Sequence, residues 1–138
     1  MKEQFVPYKI AKSLKELGFR EKCFSKYDYD GDLLESSVLY PGDFNDEILF
    51  TSAPLYQQVI QWFVLRGIII VIYPLNRQIE GTSLTTTVFE STIQSNFIEE
   101  DDTFSEDSIF DTYEDALKDA IKDAIKLYKE VILPKKHE

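Results

Sequence analysis

Ile68-Ile69-Ile70-Val71-Ile72-Tyr73 is the stretch on which the reading of the fold turns. It is the longest uninterrupted apolar run in the chain, it is mostly β-branched, and it follows directly on Gly67. Six such residues fit a strand covered on both faces, which predicts a place at the centre of a sheet. They fall far short of the roughly 20 that a membrane span needs. Downstream, a turn near Asn76 to Gly81 leads into a threonine-rich partner strand, Leu84 to Ile93. Upstream, Leu55, Val59, Trp62 and Phe63 share one helical stripe, widened by Tyr56 and Ile60. That helix begins near Pro54, with Thr51 or Ser52 available to cap it and Gly67 to end it.

The same punctuation organises the flanks. Val6, Ile10, Leu14 and Leu17 have helical spacing, with Pro7 in the first turn and Gly18 just past the end. Phe19 is then placed to fold back on Leu14. Cys23 to Tyr27, a turn at Asp30-Gly31 and Leu33 to Leu39 read as a β-hairpin, followed by a polar loop from Pro41 to about Ser52. Near the C-terminus, Tyr113, Leu117, Ala120, Ile121, Ala124 and Tyr128 lie on one helical stripe. Thr112 and Asp115 resemble a capping box with a shorter acid, and Pro134 marks the stop. Asp115, Asp119 and Asp123 beside Lys118, Lys122 and Lys126 read as the ion-paired outer side of that helix. The order helix, hairpin, helix, hairpin, helix predicts an α+β fold: an antiparallel four-stranded sheet with helices packed on it. It is expected to be a single domain over residues 1–138 with an acidic surface loop at about 94–110, pinned at intervals by Phe97, Ile98, Phe104, Ile109 and Phe110.

Composition bounds the function. At 138 residues, folding buries roughly 68% of the unfolded surface, so a core needs no staples. The net charge is −10, and its distribution is uneven. Between Arg77 and Lys118 there are eleven acids and no base, densest at Glu99, Glu100, Asp101, Asp102, Glu106 and Asp107. A second acid-only run, Asp28 to Glu47, holds seven carboxylates. A field of this sign repels nucleic acid backbones and anionic lipid, so direct binding to either is not expected. The N-terminal residues lack a signal-peptide core and one cysteine allows no internal bridge, which predicts a cytoplasmic protein.

Most catalytic templates fail by inventory. His137 is the one histidine, and there is no Cys-x-x-Cys or phosphate-binding glycine loop, so neither a zinc centre, a serine triad nor a bound cofactor is expected. Asp28-Tyr29-Asp30-Gly31-Asp32 resembles part of a calcium loop. Aligning Gly31 to the glycine of an EF-hand, however, puts Lys26 and Ser37 at the two anchoring ligand positions. A hairpin turn accounts for it better, and no metal is assigned there. Asp43, Asp46 and Glu47 make a loose carboxylate group on a loop. Cys23 reads as a buried, inert thiol. Gln57, Gln58 and Gln61 flank the apolar stripe of the second helix, where uncharged amides suit a partner surface.

Six segments carry a resemblance: Glu3-Gln-Phe-Val-Pro-Tyr-Lys-Ile-Ala, Leu14-Lys-Glu-Leu-Gly-Phe19, Cys23-Phe24, Ala53-Pro-Leu-Tyr-Gln-Gln58, Trp62-Phe63 and Thr112-Tyr-Glu-Asp-Ala116. Together, in this order, they resemble a family of small uncharacterised proteins encoded by phages, prophages and mobile elements of Bacteroides-type gut bacteria. Members carry an acid where this chain has Lys9 and a charged residue where it has Val64. The resemblance implies a cytoplasmic accessory protein of a mobile element and brings no activity or cofactor with it.

The reading that results is a small non-enzymatic protein that binds a host or phage protein through an exposed part of the sheet, through the acidic run or through Gln57, Gln58 and Gln61 on the flank of the second helix. One alternative is a nucleic-acid mimic, in which the acidic run occupies a basic cleft. Another is a carboxylate-based enzyme built around Tyr27, Asp28, Asp30 and Glu35. Self-association is a further expectation, because 19 aromatic residues strain the capacity of a core this size.

Overall fold

The computed structural model describes residues 4–34, 40–95 and 109–136. Its elements are α1 (Tyr8–Glu16), β1 (Ser25–Tyr27), β2 (Leu33–Leu34), a 3-10 turn (Phe44–Asp46), β3 (Thr51–Ala53), α2 (Tyr56–Val64), β4 (Ile68–Gln78), β5 (Thr85–Ser95), β6 (Ile109–Phe110) and α3 (Tyr113–Leu127). A π turn (Tyr128–Ile132) and a last helical turn, α4 (Leu133–Lys136), follow. The fold is α+β, and the chain divides into two compact units, Met1–Trp62 and Phe63–Glu138. No helix among the described residues is long and apolar enough to cross a membrane.

The expected four-stranded sheet is replaced by two three-stranded antiparallel sheets, ordered β2-β1-β3 and β4-β5-β6. Each hairpin recruits one short strand that local pattern does not announce. Thr51–Ala53, read as the end of a polar loop, pairs with Ser25–Tyr27. Ile109–Phe110, read as loop anchors, pairs with Phe89 and Glu90. The second strand of the first hairpin is described only at Leu33 and Leu34, since residues 35–39 lie outside the described set.

In the first unit, α1 ends as its sequence requires. Gly18 takes φ +91°, the Phe19 N–H donates to the Leu14 carbonyl at 3.0 Å, and Gly18 donates to Lys15 at 3.1 Å. Leu14 and Phe19 are fully buried. Thr51 and Ser52 do not cap α2, because they belong to β3. The cap comes from inside the helix: Gln58 Oε1 accepts the Leu55 N–H at 2.9 Å, the reciprocal half of a capping box. The expected polar loop is tied down from several sides. Buried Asn45 donates to the Phe19 carbonyl and accepts from the Ser52 N–H, both at 2.8 Å. Lys15 Nζ reaches the carbonyls of Glu47 and Phe50, and the Lys26 ammonium stands 3.7 Å over the Phe50 ring. The Tyr27 hydroxyl donates to the Val6 carbonyl, and its ring meets Tyr8 edge-on at 5.4 Å.

In the second unit, β4 and β5 pair over eleven positions, from Ile68↔Ser95 to Gln78↔Thr85. Helix α3 packs on this hairpin, and Phe89 meets Tyr113 at 5.9 Å with rings nearly perpendicular. Thr112 caps α3 by accepting the Asp115 N–H at 3.1 Å. Pro134 does not stop the helix. The turn before it widens, with Leu133 N–H donating to Tyr128, and α4 continues through the proline. Widening relieves the clash that a proline ring makes with the turn behind it.

The run Ile68–Tyr73 is not central. Among the described residues β4 pairs only with β5, so it is the edge of its sheet. Ile68 is fully buried, yet Ile69 and Tyr73 are 48% and 44% exposed. An apolar run fits a doubly covered strand and a half-covered edge equally well, and periodicity alone does not separate them.

Two glycines test the backbone account. A Cβ on Gly31 (φ +87°) would stand 2.9 Å from the Tyr8 ring, whereas one on Gly18 (φ +91°) would meet nothing within 4 Å. Gly18→Ala is expected to cost about 1–2 kcal/mol from left-handed strain alone. Gly31→Ala carries the same strain and the clash with Tyr8 besides, so it must destabilise more. Denaturant unfolding of both variants gives the comparison, and equal losses would contradict it.

Candidate functional site

The residues expected to bind a partner are placed unequally. Glu99, Glu100, Asp101, Asp102, Glu106 and Asp107 lie outside the described residues. Gln57 and Gln61 are exposed on α2. Gln58 is partly buried and engaged within the chain at both ends of its amide: its Oε1 caps the helix and its Nε2 donates to the Lys22 carbonyl at 2.8 Å.

The carboxylates of the first unit have local duties. Asp28 Oδ1 accepts the N–H groups of Asp30 and Asp32, both at 2.9 Å, and so shapes the hairpin turn. The carboxylate oxygens of Asp28, Asp30 and Asp32 come within 4.8 Å of one another, with Asp30 and Asp32 exposed. This is a turn able to attract a hydrated cation. Asp43 and Asp46 both pair with the Arg20 guanidinium, at 2.5 and 2.9 Å. Asp43 also accepts the Asn45 N–H, as the cap of the 3-10 turn. Of the group considered for enzymatic chemistry, the Tyr27 hydroxyl is committed to Val6, and Glu35 is outside the described residues. Burial pushes the Cys23 thiol up to about 12, so it stays protonated and poorly nucleophilic.

Two features are not assigned to particular residues by the sequence. The first is a pair on α3. Asp119 and Asp123, expected on the solvated outer side, are only partly exposed. Asp119 accepts from the buried Ser91 hydroxyl at 3.3 Å, which turns this side of α3 toward β5. Burial first, and the neighbouring Asp119 charge second, raise Asp123 from the ordinary 3.8 to about 6, against the opposing pull of Lys126. The available signal was the spacing: residues 119 and 123 flank the buried Ala116, Ala120 and Ala124, so they border the packed face.

The second is the outer half of the β4–β5 hairpin. Every residue from Tyr73 to Thr87 is exposed. Beyond Tyr73 the ladder continues through five more pairs, about 17 Å of two-stranded ribbon. Its tip is ordered by its own hydrogen bonds. Ile79 N–H donates to Leu84, Thr82 N–H donates to Ile79, and Gln78 Nε2 donates to the Thr82 carbonyl at 3.0 Å. Gly81 supplies the positive φ of +79°. Along this arm Leu75, Ile79 and Leu84 are 38%, 42% and 65% exposed, and Arg77 and Glu80 are its charged residues. Apolar side chains on an arm of this kind gain by being covered.

No protein-family model, curated protein or solved structure matches this chain.

The Asp123 shift sets a sign. Its folded-state value lies above the unfolded one, so between about pH 4 and 6 the folded chain holds more protons, and stability falls as pH rises through that window. Discounted for partial solvent access, the penalty above pH 6 is about 1–2 kcal/mol. Asp123→Asn should therefore raise the melting temperature at neutral pH and lose that advantage near pH 4. A variant no more stable than the parent at neutral pH would contradict the burial account.

Proposed function

We propose that this chain is a non-enzymatic protein-binding protein, an accessory protein of a phage or mobile element, and that the outer β4–β5 arm is its main binding element. The observation that supports the reading is the fifteen-residue exposed stretch Tyr73–Thr87, held in an ordered ribbon. A two-stranded ribbon is marginal by itself. This one is anchored at its base by Ile68, Val88 and Ser91, all buried, and it keeps its apolar residues outside that base. Threonines at 85, 86 and 87 maintain strand propensity without adding large apolar surface. The complementary surface on a partner is an apolar groove of low charge, since the arm carries one base and one acid.

The acidic run is a second contact in this proposal. It steers association by its field, while the arm supplies burial. Gln57 and Gln61 remain candidate polar contacts on α2.

A tagged pull-down from host lysate tests it, with three baits compared at low and high salt. In one variant Ile79 and Leu84 become Asp. In another, Glu99, Glu100, Asp101, Asp102, Glu106 and Asp107 become Asn or Gln. A stoichiometric partner lost by the arm variant, at unchanged circular dichroism, is the expected result. A nucleic-acid enzyme kept by the arm variant and lost by the neutralised one would favour mimicry instead. Absence of any partner would contradict the proposal for that host.

A further inference from the structure

We infer that, when no other partner is bound, two copies of this chain cover the bare face of the β4-β5-β6 sheet in each other, packed face to face about a two-fold axis at Leu75. This goes beyond the proposed partner, because it names what occupies the arm in the free protein.

The face follows from parity. Successive strand residues point to opposite faces, and residues paired directly across strands share one. Ser91 donates to Asp119 of α3 and the Phe89 ring meets Tyr113, so α3 lies on the face of the odd-numbered residues of β5. Their partners on β4 are even-numbered, as in Ile72↔Ser91 and Pro74↔Phe89. The opposite face therefore holds Ile69, Tyr73 and Leu75. Ile79 and Leu84 extend it, since the Ile79 N–H donates to the Leu84 carbonyl at 2.9 Å and continues the register of Arg77↔Thr86. Ile109 joins it as the partner of Glu90. Among the described residues, these six are all of the large apolar side chains exposed on the hairpin and β6, at between 38% and 65%. The one buried residue of this face is Val88, the partner of Leu75, and no contact of the pairing rests on it. A sheet with one face on a helix ordinarily turns polar residues to water on the other. This one turns a row of apolar residues there, which gain by being covered by a second sheet.

Charge selects a second copy as the occupant. Arg77 and Glu90 are the only charged residues in the three strands, and by the same parity both lie on the bare face. Neither makes an ion pair among the described residues. Glu90 is paired with Tyr73, so it stands two residues to one side of Leu75, and Arg77 stands two residues to the other. A two-fold across the strands at Leu75 exchanges these rows. Each Arg77 then comes over Tyr73 and Glu90 of the other copy, which makes two reciprocal pairs of opposite sign. The neighbouring rows are apolar on apolar: Leu75 meets Leu75, and Ile79 meets Val71. Elsewhere two chains of net charge −10 repel. The arrangement is closed, because the same patch is used by both copies.

Sedimentation equilibrium of the full chain, from micromolar to millimolar concentration, reads the association directly. The expected result is a reversible shift from 16.1 kDa to twice that mass. Arg77→Glu and Glu90→Arg each set like charges together across the two-fold. Each should weaken dimerisation about tenfold or more at unchanged circular dichroism, the factor that ~1.4 kcal/mol represents. An equimolar mixture of the two variants should recover the dimer, because both pairs then have opposite signs again. Thr87→Lys, at an exposed position on the other face, should leave the association unchanged. A wild-type chain that stays at 16.1 kDa throughout overturns the inference, and it leaves the pull-down of a different partner, a separate readout, untouched. A dimer indifferent to both charge reversals, or variants that do not recover on mixing, overturns it as well.

Discussion

The β4–β5 ladder is supported at one end. Ile68, Val88 and Ser91 are buried and α3 packs on this part of the hairpin, whereas the eleven-pair register continues past Tyr73 into residues that are all exposed. One strand must therefore serve as core at its base and as surface at its tip. The sequence of β4 follows that demand, changing from Ile68–Ile72 to Asn76, Arg77 and Gln78. Its partner changes in the same sense, with Thr85, Thr86 and Thr87 near the tip and buried Val88 and Ser91 further in. Threonine keeps the β-branched stiffness that a ribbon needs and leaves little apolar area in water. The binding role proposed for the tip depends on this gradient.

The first unit is held differently, by polar ties to the backbone. Asn45 satisfies the Phe19 carbonyl and the Ser52 N–H, Lys15 satisfies the carbonyls of Glu47 and Phe50, and Gln58 satisfies the Leu55 N–H and the Lys22 carbonyl. These ties let a loop without helical or strand periodicity pack beside a three-residue strand. They also engage side chains that look available for binding when read in isolation. Gln58 is such a case, and so are Asp43 and Asp46, which stand against Arg20.

What was legible in the sequence was local. The Gly18 stop of α1, the Asp30-Gly31 turn, the Thr112 cap and the apolar stripe of α3 each depend on a few neighbouring residues, and all are present. The β4–β5 hairpin was legible too, although its strands run further toward the tip than the apolar pattern suggested. What was not legible depends on distant partners. β3 and β6 are three and two residues long, and nothing nearby announces β1 or β5 as their neighbours. The edge position of Ile68–Tyr73 depends on how many strands exist, which periodicity does not count. Asp119 and Asp123 shared the alternating charge of a solvated face, yet the small alanines beside them draw that side of the helix toward β5. Among the candidate binding residues, the amides of α2 could be placed by spacing. Which of them is engaged inside the chain could not.

Residue-resolved hydrogen exchange along β4, on protein dilute enough to hold single copies, tests the central claim most directly. The account predicts alternation. Amides of Ile69, Val71 and Tyr73, which face β5, should exchange slowly, while those of Ile70 and Ile72, which face away from it on partly exposed residues, exchange fast. Uniform protection from Ile69 to Tyr73 in the single chain would contradict it, because β4 would then be covered from within its own molecule along its whole length.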